Sequence, residues 1–147
     1  MASWGEFAEA EPDLASFGAK RFQEAQVAYL ATVRKDGSPR VHPVTPIIGG
    51  GRLFLFMEPT SPKGHDLRRT GRYALHSLVT DPDGAAGEFT VRGSAKLIDD
   101  AESRDVASAA ATYTPAKRYI LFELTVEGAA STVYHDGEPV RRHWGDN

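Results

Sequence analysis

The stretch "VAYLATVRKDGSPRVHPVTPII", Val27–Ile48, decides how the rest of the chain is read. Its first part, Val27–Val33, is an apolar run with β-branched residues, the pattern of a strand. Lys35–Gly37 ("KDG") is a hairpin-type turn,. A second strand, Arg40–Ile48, follows directly, so the two strands run antiparallel. Pro43 and Pro46 interrupt it, and proline cannot donate a ladder hydrogen bond,. The second strand is therefore an edge strand, a bulged strand or one that faces a ligand.

The same alternation continues outward. "GGG" (Gly49–Gly51) turns the chain into a third strand, Arg52–Met57, and Arg72–Thr80 is a fourth, ending at the "DPDG" turn. Gly87–Ile98 is a long strand with a bend or bulge expected at Gly93. Asp99 and Glu102 resemble a capping box opening a helix to about Ala111. Arg118–Tyr134 reads as a strand broken near Gly128, and "DG" turns it into a last strand, Glu138–Trp144. Upstream, Pro12 opens a helix to Gln23, with Glu11 and Asp13 at its positive end. Most links between strands are too short for parallel crossovers. The expected fold is mainly β: a six- to seven-stranded antiparallel split barrel with two or three peripheral helices. Residues 1–147 form one domain, with the helical segment 1–26 packed on the barrel.

Composition narrows the functional classes. The 147-residue chain has no cysteine, which removes thiolate catalysis, disulfides and zinc–thiolate sites,. A net charge of −3 argues against general nucleic-acid binding,. No apolar run is long enough for a membrane span, and no signal peptide is visible, so a cytoplasmic location is expected. The five histidines lack paired spacing and accompanying carboxylates, so no metal site is expected. Ser61, His65 and Asp66 stand too close along one helix to form a catalytic triad. With no nucleophile or metal evident, redox chemistry would come from a bound cofactor.

One segment invites an anion. In "FMEPTSPKGHDLRR" (Phe56–Arg69) an apolar strand ends, Ser61 suits an N-cap and Pro62 the first helical position,. Lys63 then sits where a helix offers free amides and positive potential. Arg68, Arg69 and Arg72 add charge against the single Asp66. A plain, well-capped connection with a solvated basic face is the alternative.

These residues, in this order, resemble the pyridoxamine-phosphate-oxidase-like, FMN-binding split-barrel superfamily. Its opening hairpin is similar to "VAYLATVRKDGSPRVHPV", and its Ser-x-Lys segment to Ser61-Pro62-Lys63, with similarity from about Val27 to Ile98. The resemblance implies a homodimer with the cofactor at the interface. It places flavin against the second strand, at Val41, His42, Pro43, Val44, Thr45 and Pro46, and against Phe56 and Met57. Ser61 and Lys63 would meet the phosphate. The family's intervening arginine is replaced by Pro62, leaving His65 or Arg68 to substitute. Glu88 falls where the family often has a glutamine, and a carboxylate cannot donate as an amide does. The Arg-Leu-His-Asp-Arg-like element of authentic pyridoxamine phosphate oxidases has no counterpart between Glu123 and Asn147. "VRRHW" is similar instead to the tails of actinobacterial relatives, several of which use a deazaflavin coenzyme. Trp144 would cover the flavin or substrate, or else plug the barrel rim.

The implied activity is hydride transfer between FMN, or the 8-hydroxy-5-deazaflavin coenzyme, and a small organic substrate; no catalytic side chain is assigned. The alternatives are a non-catalytic flavin binder and a haem-handling barrel with His42, His65 or His135 as axial ligand. A third is a barrel that binds a protein partner.

Overall fold

The computed structural model describes residues 1–146. Helices α1 (Trp4–Ala10) and α2 (Pro12–Ala25) precede strands β1 (Ala28–Val33), β2 (Pro39–Val44), β3 (Ile47–Gly49) and β4 (Arg52–Met57). Helix α3 (Pro62–Arg69), β5 (Arg72–Ser77), β6 (Glu88–Ile98) and helix α4 (Ala101–Ala110) follow. Strands β7 (Ile120–Leu124), β8 (Gly128–His135) and β9 (Glu138–Gly145) complete the order. All pairings among these strands are antiparallel.

The opening hairpin is β1–β2, with Ala28 opposite Val44 and Val33 opposite Pro39. β2 pairs with β1 alone and is an edge strand, as its prolines require,. The expected strand Arg40–Ile48 is in fact two strands. Thr45 and Pro46 separate them, and β3 turns away to pair with β4.

Seven strands run in the order β2-β1-β5-β6-β7-β4-β3, and β8 and β9 branch from β6. The branch is the split in the barrel. Residues Glu88–Arg92 of β6 pair with β8, whereas Ala95–Ile98 pair with β7. Gly93 stands between the two sets, and a Cβ there would lie 2.1 Å from the Thr125 carbonyl oxygen. Only glycine admits that approach, so the bend falls where the sequence reading put it. The predicted strand Arg118–Tyr134 breaks at Thr125–Glu127, where Val126 bridges to Ala2, and Gly128 opens β8.

Alternation divides the residues between two faces. His42, Leu30, Leu75, Val91, Ala129 and Trp144 form one continuous row across six strands. The four in its middle are buried, so this row faces inward. Val41 and Pro43 project outward with Tyr29, Ala74 and Thr90.

Helices α1 and α2 cover the core with Trp4, Phe7 and Phe22, which meet Phe89 of β6 edge-on or stacked. Gly18 of α2 lies flat against that ring; a Cβ there would come within 2.5 Å of it. β4 is apolar on both faces because it separates two cores. Leu53, Leu55 and Met57 face the main core, while Phe54 and Phe56 pack under α4 with Ile47, Ala107 and Leu121.

The described residues form four helices rather than two or three. The additional one, α1, is announced by a capping box in which Ser3 Oγ accepts from the Glu6 amide and Glu6 accepts from the Ser3 amide,. The cap of α4 is Asp100, not Asp99; its carboxylate accepts from the Ser103 amide at 2.8 Å.

Candidate functional site

The start of α3 is built as the sequence predicts. Ser61 is the N-cap, and its Oγ accepts a hydrogen bond from the Gly64 amide. Pro62 has no N–H, and the His65 amide already donates to the Ser61 carbonyl. Of the first-turn amides, that of Lys63 alone has no partner among the described residues,. Its side chain is half-buried and makes no ion pair there either. Burial pushes the ammonium below the ordinary lysine value,. One residue thus presents an unpaired amide and an unpaired, partly desolvated ammonium at the positive end of a helix dipole.

The surrounding charges leave this cation unopposed. Glu58, just before the turn, is held by Arg118, whose hydrogen bonds lower its pKa. Asp66 is buried and accepts from Thr32 Oγ1 at 2.7 Å, Arg40 Nε at 2.8 Å and Arg69 at 3.1 Å. Burial acts to raise the Asp66 pKa, but the hydrogen bonds from Arg40, Thr32 and Arg69 outweigh it and the net shift is downward. The network also positions the site, because Arg40 belongs to β2 and Asp66 to α3. These bonds tie α3 to Thr32 of β1 and Arg40 of β2. The sequence presents Asp66 as a counter-charge and as a member of a rejected triad, not as a buried anchor. The available signal was a lone carboxylate in a basic helix, which burial rarely tolerates unpaired.

The remaining predicted positions are distributed over the fold. Arg68 reaches back to the Pro59 carbonyl and contacts His65 Nδ1 at 3.1 Å, which returns its charge to the turn before α3. Ser61, His65 and Asp66 have separate partners and form no triad. Val41 is 64% exposed and outward, with Pro43 beside it, whereas His42 and Val44 face inward. Thr45 and Pro46 occupy the β2–β3 junction. Phe56 and Met57 have buried side chains, so only their backbone is available at the end of β4. Glu88 lies on the outer face, 3.7 Å from His76 Nε2. Trp144 packs on Phe7, with ring centroids 5.2 Å apart, at the rim under α1. Five strand spacings separate it from His42, about 24 Å along the curled sheet,. Within one chain Trp144 packs against Phe7, far from His42.

Fold and site together define an antiparallel split barrel whose edge strand is bolted to a cation-bearing helix start. The sequence profile of the pyridoxamine 5'-phosphate oxidase family matches residues 18–133, and the chain belongs to that family. No curated protein matches it by sequence. Solved structures share the fold. A heme binding protein from Mycobacterium smegmatis superposes with a TM-score of 0.64 at 21% identity, over 86% of this chain and 57% of that one. The chain therefore spans little more than half of that protein's length. PhzG from Burkholderia lata 383, solved with tetrahydrophenazine-1-carboxylic acid, gives 0.66 at 14% identity, covering 96% of this chain and 86% of its own. HutZ, the heme storage protein from Vibrio cholerae, gives 0.57 at 16% identity, covering 80% and 89%.

Proposed function

We propose that the protein is a flavin-type oxidoreductase, a homodimeric split barrel that holds FMN or the 8-hydroxy-5-deazaflavin coenzyme and acts on a small organic molecule. The observation that carries this reading is Lys63: a half-buried cation with no partner beside a free helix amide fits a phosphate monoester or diester,. The outer face of β1, β2 and β5 supports the dimer, since Tyr29 and Val41 are exposed apolar residues on one sheet surface,. A cofactor lying on that face would meet Val41, Pro43 and Glu88. When bound, the cofactor ring supplies the hydride chemistry. The chain's own residues bind the phosphate, orient the ring against β2 and exclude water at the interface. Membership of the family is the second support.

Haem is the competing ligand, because two solved neighbours are named for it. Titration of the purified protein with FMN, riboflavin, the deazaflavin coenzyme and hemin separates the readings. Tight binding of FMN or the deazaflavin coenzyme, with weaker binding of phosphate-free riboflavin, supports the proposal. A Soret band with no flavin binding overturns it. Oxidation of the reduced cofactor in the presence of an acceptor then separates an enzyme from a storage protein.

A further inference from the structure

The chain carries three Asp-Gly pairs, Asp36–Gly37, Asp83–Gly84 and Asp136–Gly137, and each lies at a turn. Glycine has no Cβ to shield its backbone nitrogen from the side-chain carboxyl of the residue before it. Attack of that nitrogen on the carboxyl is opposed when donors hold the carboxyl, or when the glycine N–H is spent in a hydrogen bond.

The three turns differ on both counts. Gly37 and Gly84 end four-residue turns, and their amides donate to the Arg34 and Asp81 carbonyls at 2.9 and 3.2 Å,. The Asp36 carboxylate accepts from Ser38 Oγ at 2.6 Å and from the Ser38 amide at 3.0 Å. Those two bonds hold its carboxyl below the ordinary value, so the protonated form, which can lose water, is scarce. Asp83 accepts from the Ala85 amide at 3.2 Å. Asp136 and Gly137 instead make up the whole loop between His135 and Glu138, which pair directly. Their φ values are 51° and 81°, as a type I′ hairpin turn requires,. The closing bonds of such a turn belong to its flanking residues, and among the described residues the Gly137 amide has no acceptor. The Asp136 carboxylate has no ion-pair partner there, and both residues are exposed.

We propose that Asp136–Gly137 is a backbone modification site, where aspartate isomerises to isoaspartate, and that the other two pairs are protected by their turns. The Gly137 nitrogen attacks Asp136 Cγ. A C–N bond forms, a C–O bond breaks, and the hydroxyl leaves with the amide proton as water. Water then opens the succinimide ring. Addition at Cγ restores aspartate, whereas addition at the backbone carbonyl breaks the original peptide bond and leaves the chain running through Cγ. The reaction consumes no oxidant and no cofactor. Its product adds a methylene to the backbone of a loop whose length sets His135 opposite Glu138. Isomerisation therefore loosens the β8–β9 ladder from its tip.

The test incubates the purified chain at neutral pH in water enriched in heavy oxygen, both folded and in urea. Peptide mass spectrometry then follows isoaspartate and label at the three pairs. In the folded chain Asp136 should convert at least about tenfold faster than Asp36 or Asp83, whose hydrogen bonds must first open. In urea the three rates should converge. The isoaspartyl form, separated by ion exchange, should exchange the amides of Val133 and Val140, which pair beside the turn, faster than the unmodified chain. The proposal is overturned by any of four results: equal or faster conversion at Asp36 or Asp83 in the folded chain, the same ranking in urea, no conversion at Asp136 while the unfolded chain reacts, or unchanged exchange at Val133 and Val140 in the isoaspartyl form.

Discussion

Two side chains on α3 illustrate opposite fates for a buried charge. Asp66 is surrounded by donors and stays ionised, whereas Lys63 has none and is held below its usual pKa. Lys63→Ala should weaken FMN binding by about 1.5–3 kcal/mol, the scale of a hydrogen bond to a charged group, and leave riboflavin binding unchanged. Fluorescence quenching measures both, and equal losses for the two ligands would place the phosphate elsewhere. The lowered Lys63 pKa also has a sign in the pH profile. The ammonium is lost as pH rises, and sooner than for an ordinary lysine. FMN affinity should therefore fall on the alkaline side at a pH below the ordinary lysine value of 10.5. A Lys63→Arg variant should abolish that fall. For Asp66 the folded pKa lies below the ordinary 3.8, so its stabilisation is complete above that value. It is lost as pH drops through the folded value. Asp66→Asn should cost about 2–3 kcal/mol at neutral pH. In urea melts the gap from the natural chain should narrow below about pH 4, the usual carboxylate range; a constant gap would mean the loss is one of packing.

At the level of elements, the site depends on how strands end and bend. β2 stops at Val44 because Thr45-Pro46 cannot continue the ladder, and the residues beyond it cross to a different strand pair,. β6 serves two sheets because Gly93 lets the Thr125 carbonyl approach where any Cβ would collide. Gly93→Ala should destabilise the chain by about 1–3 kcal/mol, the usual cost of overpacking, in chemical denaturation. A neutral result would mean that the split tolerates a shift of the β7–β8 link. Ser61→Ala removes the α3 cap and should cost about 1 kcal/mol. Its effect on FMN binding should be smaller than that of Lys63→Ala, since the Lys63 amide is already free.

For the whole molecule, the decisive surface is the outer face of the sheet. Ala74 lies in one row with Val41, Ala31 and Arg92, exposed to solvent. If two copies meet there, Ala74→Arg should shift sedimentation from dimer to monomer at micromolar concentration and weaken FMN binding with it. A variant that remains dimeric would place the interface on another face. No described helix is long and apolar enough to cross a membrane. The chain carries a net charge of −3, yet the α3 region carries Lys63, Arg68, Arg69 and Arg72 against the single carboxylate of Asp66. If FMN binds as proposed, its attraction is local, and rising salt should weaken binding only modestly.

The sequence alone determined the features that local chemistry controls. The β1–β2 hairpin follows from its apolar run and Asp-Gly turn, the edge position of β2 from its prolines, and the bend of β6 from Gly93. The start of α3 follows from Ser-Pro-Lys. Tertiary structure decided what depends on residues distant in the chain. Asp66 is fastened to Arg40 and Thr32, 26 and 34 residues away, and Glu58 is taken up by Arg118, 60 residues on. Those pairings leave Lys63 without a counter-charge among the described residues, a condition that no window of sequence displays. In sequence, Trp144 likewise reads equally as a cover for the flavin or substrate and as a plug of the rim, and only folding sets it against Phe7. The physical reason is common to these cases. Propensity and turn chemistry act over a few neighbours, whereas desolvation and ion pairing depend on which strangers the closed sheet brings together.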